Sequence, residues 1–181
     1  MVRDVFRMGT NVTENCVDRG VDDAYFEYLP DPCGRDLGVR TSSIVARRAI
    51  EVIFDDDPSN DQAQASMYRH AVTFYNSADA ASAYLSSVRA AVRECPERKL
   101  KFSTWKYTIA SSTTERLELT VRHIQLTEVE GGGPKEATFR VSVARSGARV
   151  SVISDMGWEG APSYDSAVDA LVRAAAEQLD R

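Results

Sequence analysis

The chain has 181 residues, of which 43% are hydrophobic and 27% charged, and its net charge is −5. This length supports one domain with a real core, and the composition is that of a soluble globular protein. The acidic balance argues against unspecific nucleic-acid binding, which needs a basic footprint, and no run reaches the roughly 18 apolar residues of a transmembrane helix.

Residues 1–40 carry no regular pattern and read as an irregular segment, with Tyr25, Phe26, Tyr28 and Leu29 apolar enough to dock it on a core. Asn11-Val12-Thr13 matches a glycosylation sequon, which in an unknown host is a chance match. The N-terminus lacks the apolar centre of a signal peptide. Taken as given, the chain reads as cytoplasmic; an export segment lost from its start would place it outside the cell. Residues 44–54, IVARRAIEVIF, fit helix or strand, and the end at Val52, Ile53 and Phe54 favours strand. The acidic stretch 55–65, DDDPSNDQAQA, reads as a solvated loop. Its aspartates lack the central Gly and terminal Glu of a calcium loop.

Tyr68, His70, Val72 and Phe74 alternate with Arg69, Ala71, Thr73 and Tyr75, which predicts a strand. Asn76 and Ser77 offer helix-capping oxygens, and Asp79 suits the positive end of a helix dipole. Neither Gly nor Pro follows until Pro96, and Tyr84, Leu85, Val88, Ala91, Val92 and Cys95 form one stripe at helical spacing. Pro96 disfavours helical geometry at Cys95, so the helix ends there.

Residues 100–110 and 116–126 read as strands, and 129–136, with its triple glycine, as a turn. Residues 137–144 and 148–154 read as a hairpin around Arg145-Ser146-Gly147-Ala148. Ser163 caps a final helix that turns Tyr164, Val168, Leu171, Val172, Ala175 and Leu179 inward. The order β-β-α-β-β-β-β-α predicts an α+β fold, an antiparallel sheet with two main helices packed on one face. No repeat or linker divides residues 1–181, which read as a single domain.

Chemistry-bearing motifs are sparse. Gly131-Gly132-Gly133 is followed by Pro134 and another strand, so it reads as a hairpin turn and not as a phosphate loop. There is no GxSxG elbow. His70 and His123 each sit in a strand pattern, where packing is the simpler role, and no pair of carboxylates has a spacing that calls for acid–base work. No catalytic residue, metal site or cofactor is predicted; no CxxC occurs and the two histidines are isolated. Three cysteines leave one over. Cys33, in the loop Pro32-Cys33-Gly34, and Cys95, at a helix end, form the favoured pair; the alternative is three reduced, buried thiols. The binding signal is aromatic. Trp105 and Tyr107 share a strand face, and Trp158 lies in a glycine-flanked loop before the last helix. With Arg122 and His123 they are the candidate ligand-binding residues, against the simpler reading that both tryptophans complete the core.

The loop PDPCGRD, a strand, the segment FYNSADAASAYLSSVRAAVREC, a Gly-rich turn, a hairpin and an Ala/Leu-rich C-terminal helix follow one another in this chain. This succession, over about residues 30–181, resembles the PknH-like sensor domains of actinobacteria, which occur as extracellular parts of receptor kinases and as related lipoproteins. The resemblance implies an antiparallel sheet with flanking helices, a ligand-binding cleft, no catalytic residues and an envelope or extracellular location. It places Cys33 and Cys95 where family cysteines pair. Cys16 has no obvious mate and the family's second disulfide is missing. The leading expectation is therefore a non-catalytic sensor-type module for an unknown small-molecule ligand, with a homodimer compatible. The alternatives are a cytoplasmic small-molecule enzyme or self-resistance protein from a biosynthetic cluster, and a protein–protein module.

Overall fold

The computed structural model describes residues 11–17, 32, 41–55, 66–125, 135–155 and 165–179. Along the chain these form β1 (Asn11–Val17), a 3-10 turn (Thr41–Ser43), β2 (Ile44–Asp55), β3 (Ser66–Tyr75), α1 (Ala78–Glu94), β4 (Glu97–Lys99), β5 (Ser103–Ser112), β6 (Arg116–Gln125), β7 (Lys135–Ser146), β8 (Arg149–Asp155) and α2 (Asp165–Leu179). The strands make one eight-stranded sheet in the order β1-β2-β3-β8-β7-β6-β5-β4, and every neighbouring pair is antiparallel.

The predicted α+β class and element order hold. The six strands read from the sequence are the contiguous middle of the sheet, and one strand is added at each edge. β1 lies inside the N-terminal stretch that reads as irregular, and β4 is the three charged residues ERK. An edge strand pairs along one side only, so little alternation is demanded of it. The predicted hairpin turn closes with Ser146 opposite Arg149, and Gly147 takes a left-handed φ of 54°.

α1 begins as predicted. The Ser77 side chain accepts from the Ala80 N–H at 3.1 Å, Asp79 lies in the first turn, and Cys95 occupies the C-cap. The helix connects β3, third from one edge, to β4 at the far edge. Five strand spacings of about 4.8 Å make a gap of about 24 Å. Seventeen residues at 1.5 Å each span about 25 Å. The helix is as long as the sheet it crosses.

Alternation decides what each sheet face carries. On the front face, Ala81, Tyr84, Leu85, Val88 and Val92 of α1 pack on Tyr75, Tyr107, Leu117, Leu119, Val121, Phe139, Val141, Val143 and Val150. The predicted stripe of α1 forms the helix side of this core. The prediction that both helices share one face is corrected. Arg140 and Ser142 point away from Val141 and Val143, and Arg140 Nη1 meets Asp169 Oδ1 of α2 at 3.0 Å. From a central strand this contact is made only on the rear face, so α2 covers β7 and β8 from the side opposite α1. Among its described side chains Leu171, Val172 and Ala175 are buried, and they stand apart from the front core. A helical stripe shows which side of a helix is apolar, not which side of a sheet receives it.

The acidic loop after Asp55, the triple glycine, the loop bearing Trp158, and Cys33 lie outside the described residues.

Leu85 is fully buried at the centre of the front core. Leu85→Ala should lower unfolding free energy by about 2–5 kcal/mol in a urea titration, with little change in the denaturant slope. A loss below about 0.5 kcal/mol would contradict the packing described.

Candidate functional site

Arg89, midway along α1, fixes where the helix lies. Its Nε donates to Ser112 Oγ at 2.8 Å, and its Nη2 donates to the Thr113 carbonyl. Ser112 and Thr113 mark the β5–β6 turn, so α1 is tied to that end of the front face. Farther along the strands, toward the opposite end, the sheet carries one cross-strand row: Arg98 opposite Trp105, Trp105 opposite His123, and His123 opposite Ala137. All four residues are partly exposed.

Trp105 and His123 stack, with ring centroids 4.2 Å apart and planes inclined by 28°. Phe139 meets the tryptophan edge-on at 5.7 Å and 65°. Partial burial holds the His123 imidazole below its ordinary pKa, so near neutral pH the contact joins two uncharged rings. The arrangement is a half-open aromatic platform backed by Phe139, with a guanidinium in the same row. Its open ring face suits a planar ligand.

The predicted site residues separate. Trp105 and His123 are brought together. Tyr107 sits one row deeper, 4% exposed, within the core beneath α1. Arg122, next to His123 in sequence, points to the rear face, where its Nε donates to Glu136 Oε1 at 2.7 Å. Trp158 lies outside the described residues. Sequence reasoning passed over Arg98, because its three-residue strand is wholly charged and gives no alternation to read.

The rear face is polar where α2 covers it. His70, Ile153, Ser142 and Glu118 form one cross-strand row. His70 Nε2 lies 2.9 Å from Ser151 Oγ, and Ser142 Oγ donates to Glu118 Oε1 at 2.8 Å. Burial pushes the His70 imidazole down to about 4. Burial also raises the Glu118 carboxyl, against the opposing pull of the Ser142 hydrogen bond and nearby arginines. By distance His70 and Ser151 could pass for a base and a nucleophile. A base held so low and closed off from solvent is poorly placed to activate a hydroxyl, and the pair acts as a satisfied buried hydrogen bond. Among the described residues no group of histidine, cysteine and carboxylate side chains is arranged to hold a metal ion.

The architecture is thus an α+β domain, an antiparallel sheet with a helix on each face and an aromatic platform at one open end. A solved structure has this fold: the extracellular domain of PknH from Mycobacterium tuberculosis is similar with a TM-score of 0.53, over 99% of this chain and 89% of that chain, at 13% sequence identity. This is a distant resemblance of fold. No family model and no curated protein matches the chain. No described helix is long and apolar enough to cross a membrane.

The His70 shift carries a pH dependence with a definite sign. The folded imidazole titrates near 4 and the unfolded one near 6.5, so the unfolded state binds the extra proton between them. Stability is whole above pH about 6.5 and falls by about 3 kcal/mol as the pH drops toward 4. Glu118, with its raised value, works in the opposite direction just above the usual carboxylate range. Urea titrations from pH 7 to 4.5 should show this decline, and His70→Gln should flatten it. An unchanged slope in the variant would refute the assignment.

Proposed function

We propose that the chain is a single-domain, non-catalytic ligand-binding module of sensor type, acting at the cell envelope or outside the cell. One observation carries this reading: Trp105 and His123 are stacked but only partly covered, at the end of the front face away from the β5–β6 turn. Aromatic rings that served packing alone would be closed over by the helix, as Tyr107 is. The sensor assignment and the location draw support from the fold shared with an extracellular domain. The ligand is a small planar molecule that stacks on the exposed ring face.

The reading includes a bridge between Cys33 and Cys95. Cys95 takes part in a disulfide, and the remaining cysteines are Cys16 and Cys33. Cys16 lies on β1, while Cys95 leads into β4 at the opposite edge through a residue bonded to β5: the Pro96 carbonyl accepts from the Tyr107 N–H at 2.8 Å. Six strand spacings, about 29 Å, separate β1 from β5, whereas bridged Cα atoms stand within about 7 Å. Cys33 is therefore the better partner.

Both halves of the proposal can be measured. In a Trp158→Phe background, naphthoate should quench Trp105 emission in a saturable way, and His123→Ala should weaken the binding by about tenfold, from the loss of one ring contact and its burial. Linear, unsaturable quenching would refute the platform. Peptide mapping without reductant should recover Cys33 joined to Cys95. Reduction should cost about 4 kcal/mol of stability, the chain-entropy value for a loop of this length.

A further inference from the structure

Among the described residues, the β4–β5 turn carries an unusual piece of surface. Three large hydrophobic side chains are exposed among the described residues, and two of them, Leu100 at 45% and Phe102 at 61%, lie in this one turn. Scattered exposed apolar residues are ordinary; two at the apex of one hairpin are a patch. The turn is closed by the Leu100 N–H donating to the Ser103 carbonyl at 2.8 Å, so both side chains are carried on an ordered loop. Lys99 precedes Leu100, and Lys101 stands between the two apolar residues with its Nζ 4.8 Å from the Phe102 ring centre.

Charge supplies the second observation. From Glu97 to Lys106 the hairpin holds Arg98, Lys99, Lys101 and Lys106 against Glu97 alone, a surplus of three positive charges on a chain whose net charge is −5. Glu97 is held between Lys99 at 3.2 Å and Lys106 at 3.5 Å on one side of the hairpin, which leaves Lys101 at the tip beside the apolar pair. Apolar side chains flanked by lysines match the boundary layer of a lipid bilayer. There the rings and methyl groups enter the acyl region while the ammonium groups stay among anionic headgroups. A protein partner would have to offer both an apolar socket and a ring of acids; an anionic bilayer offers both without shaping.

We propose that the tip from Lys99 to Phe102 docks the protein on anionic membrane surfaces. The inference is independent of the ligand platform, since neither Leu100 nor Phe102 belongs to it. The tip projects from the same end of the sheet as the Trp105 row, so docking would turn that open end toward the bilayer.

Co-sedimentation of the full chain with vesicles tests the proposal. Vesicles of equal parts phosphatidylglycerol and phosphatidylcholine should carry the protein down, and phosphatidylcholine alone should not. Phe102→Ser should weaken the binding roughly tenfold or more through lost apolar burial, and Lys101→Gln about fivefold through lost headgroup attraction. Both residues are on the surface, and an unchanged circular dichroism spectrum will show that the variants fold. Phe102→Trp adds a direct reading: its emission should shift to the blue on the anionic vesicles alone. Failure to sediment with either vesicle would overturn the proposal, as would equal binding by Phe102→Ser. Self-association that Phe102→Ser abolishes, in a protein that ignores vesicles, would assign the patch to a second copy and overturn it too. Loss of naphthoate binding in His123→Ala with vesicle binding intact would separate the fate of the platform from that of the tip.

Discussion

The match between the length of α1 and the breadth of the sheet is the constraint from which the architecture follows. β3 must hand the chain to β4 across β8, β7, β6 and β5. A helix that crosses the whole sheet lays its apolar stripe on every one of those strands, and Leu85 and Val88 at its centre are fully closed off. The Ser77 cap sets where the crossing starts, and the ring of Pro96 sets where it stops. Arg89, bound to the β5–β6 turn, decides which end of the sheet the crossing favours. What remains uncovered at the other end is the platform, so the exposure of Trp105 is a consequence of where a helix was pinned.

The two faces solve burial by different chemistry. Under α1 the sheet offers Leu, Val, Phe and Tyr side chains, and the core is held by apolar contact. Under α2 the sheet offers His70, Ser142, Ser151 and Asp155, all buried, around Ile153 and Tyr68. Polar groups taken from water must find partners, and the pairs His70–Ser151 and Ser142–Glu118 do this across neighbouring strands. Mild acid therefore acts on the rear face through the deeply buried His70, and on the front face only through the half-open His123.

This difference also explains what could be read from the residues alone. Alternation in 68–75, 116–125 and 137–144, and the stripe from Tyr84 to Val92, located the middle of the sheet and α1, because one-sided apolar burial writes a period into the sequence. The same alternation could have separated Arg122 from His123, since adjacent strand residues face opposite ways. The rear row could not be read, because serines and a histidine in a strand look like a solvated face until a helix covers them. Trp105 and Tyr107 are equivalent in pattern. Only the position of α1, fixed by a contact between Arg89 and a turn distant in sequence, makes one a platform and the other core. β1 and β4 left no periodic signal, and Arg98 was missed along with β4.

One join in the sheet is unlike the rest. Every adjacent pair of strands is consecutive along the chain except β3 and β8, where His70 meets Ile153 across more than 80 intervening residues. The hairpins from β4 to β8 can zip locally, each closing a short loop, whereas the seam must gather two preassembled halves and meet the entropy of a long closure. Assembly should thus end where the sheet is stitched together, with α1 already draped across the later strands as the tether that keeps the halves within reach. Until that stitch forms, β3 and β8 each present a bare row of amides and carbonyls, and this interval is when the chain is most open to pairing with a neighbour in place of itself.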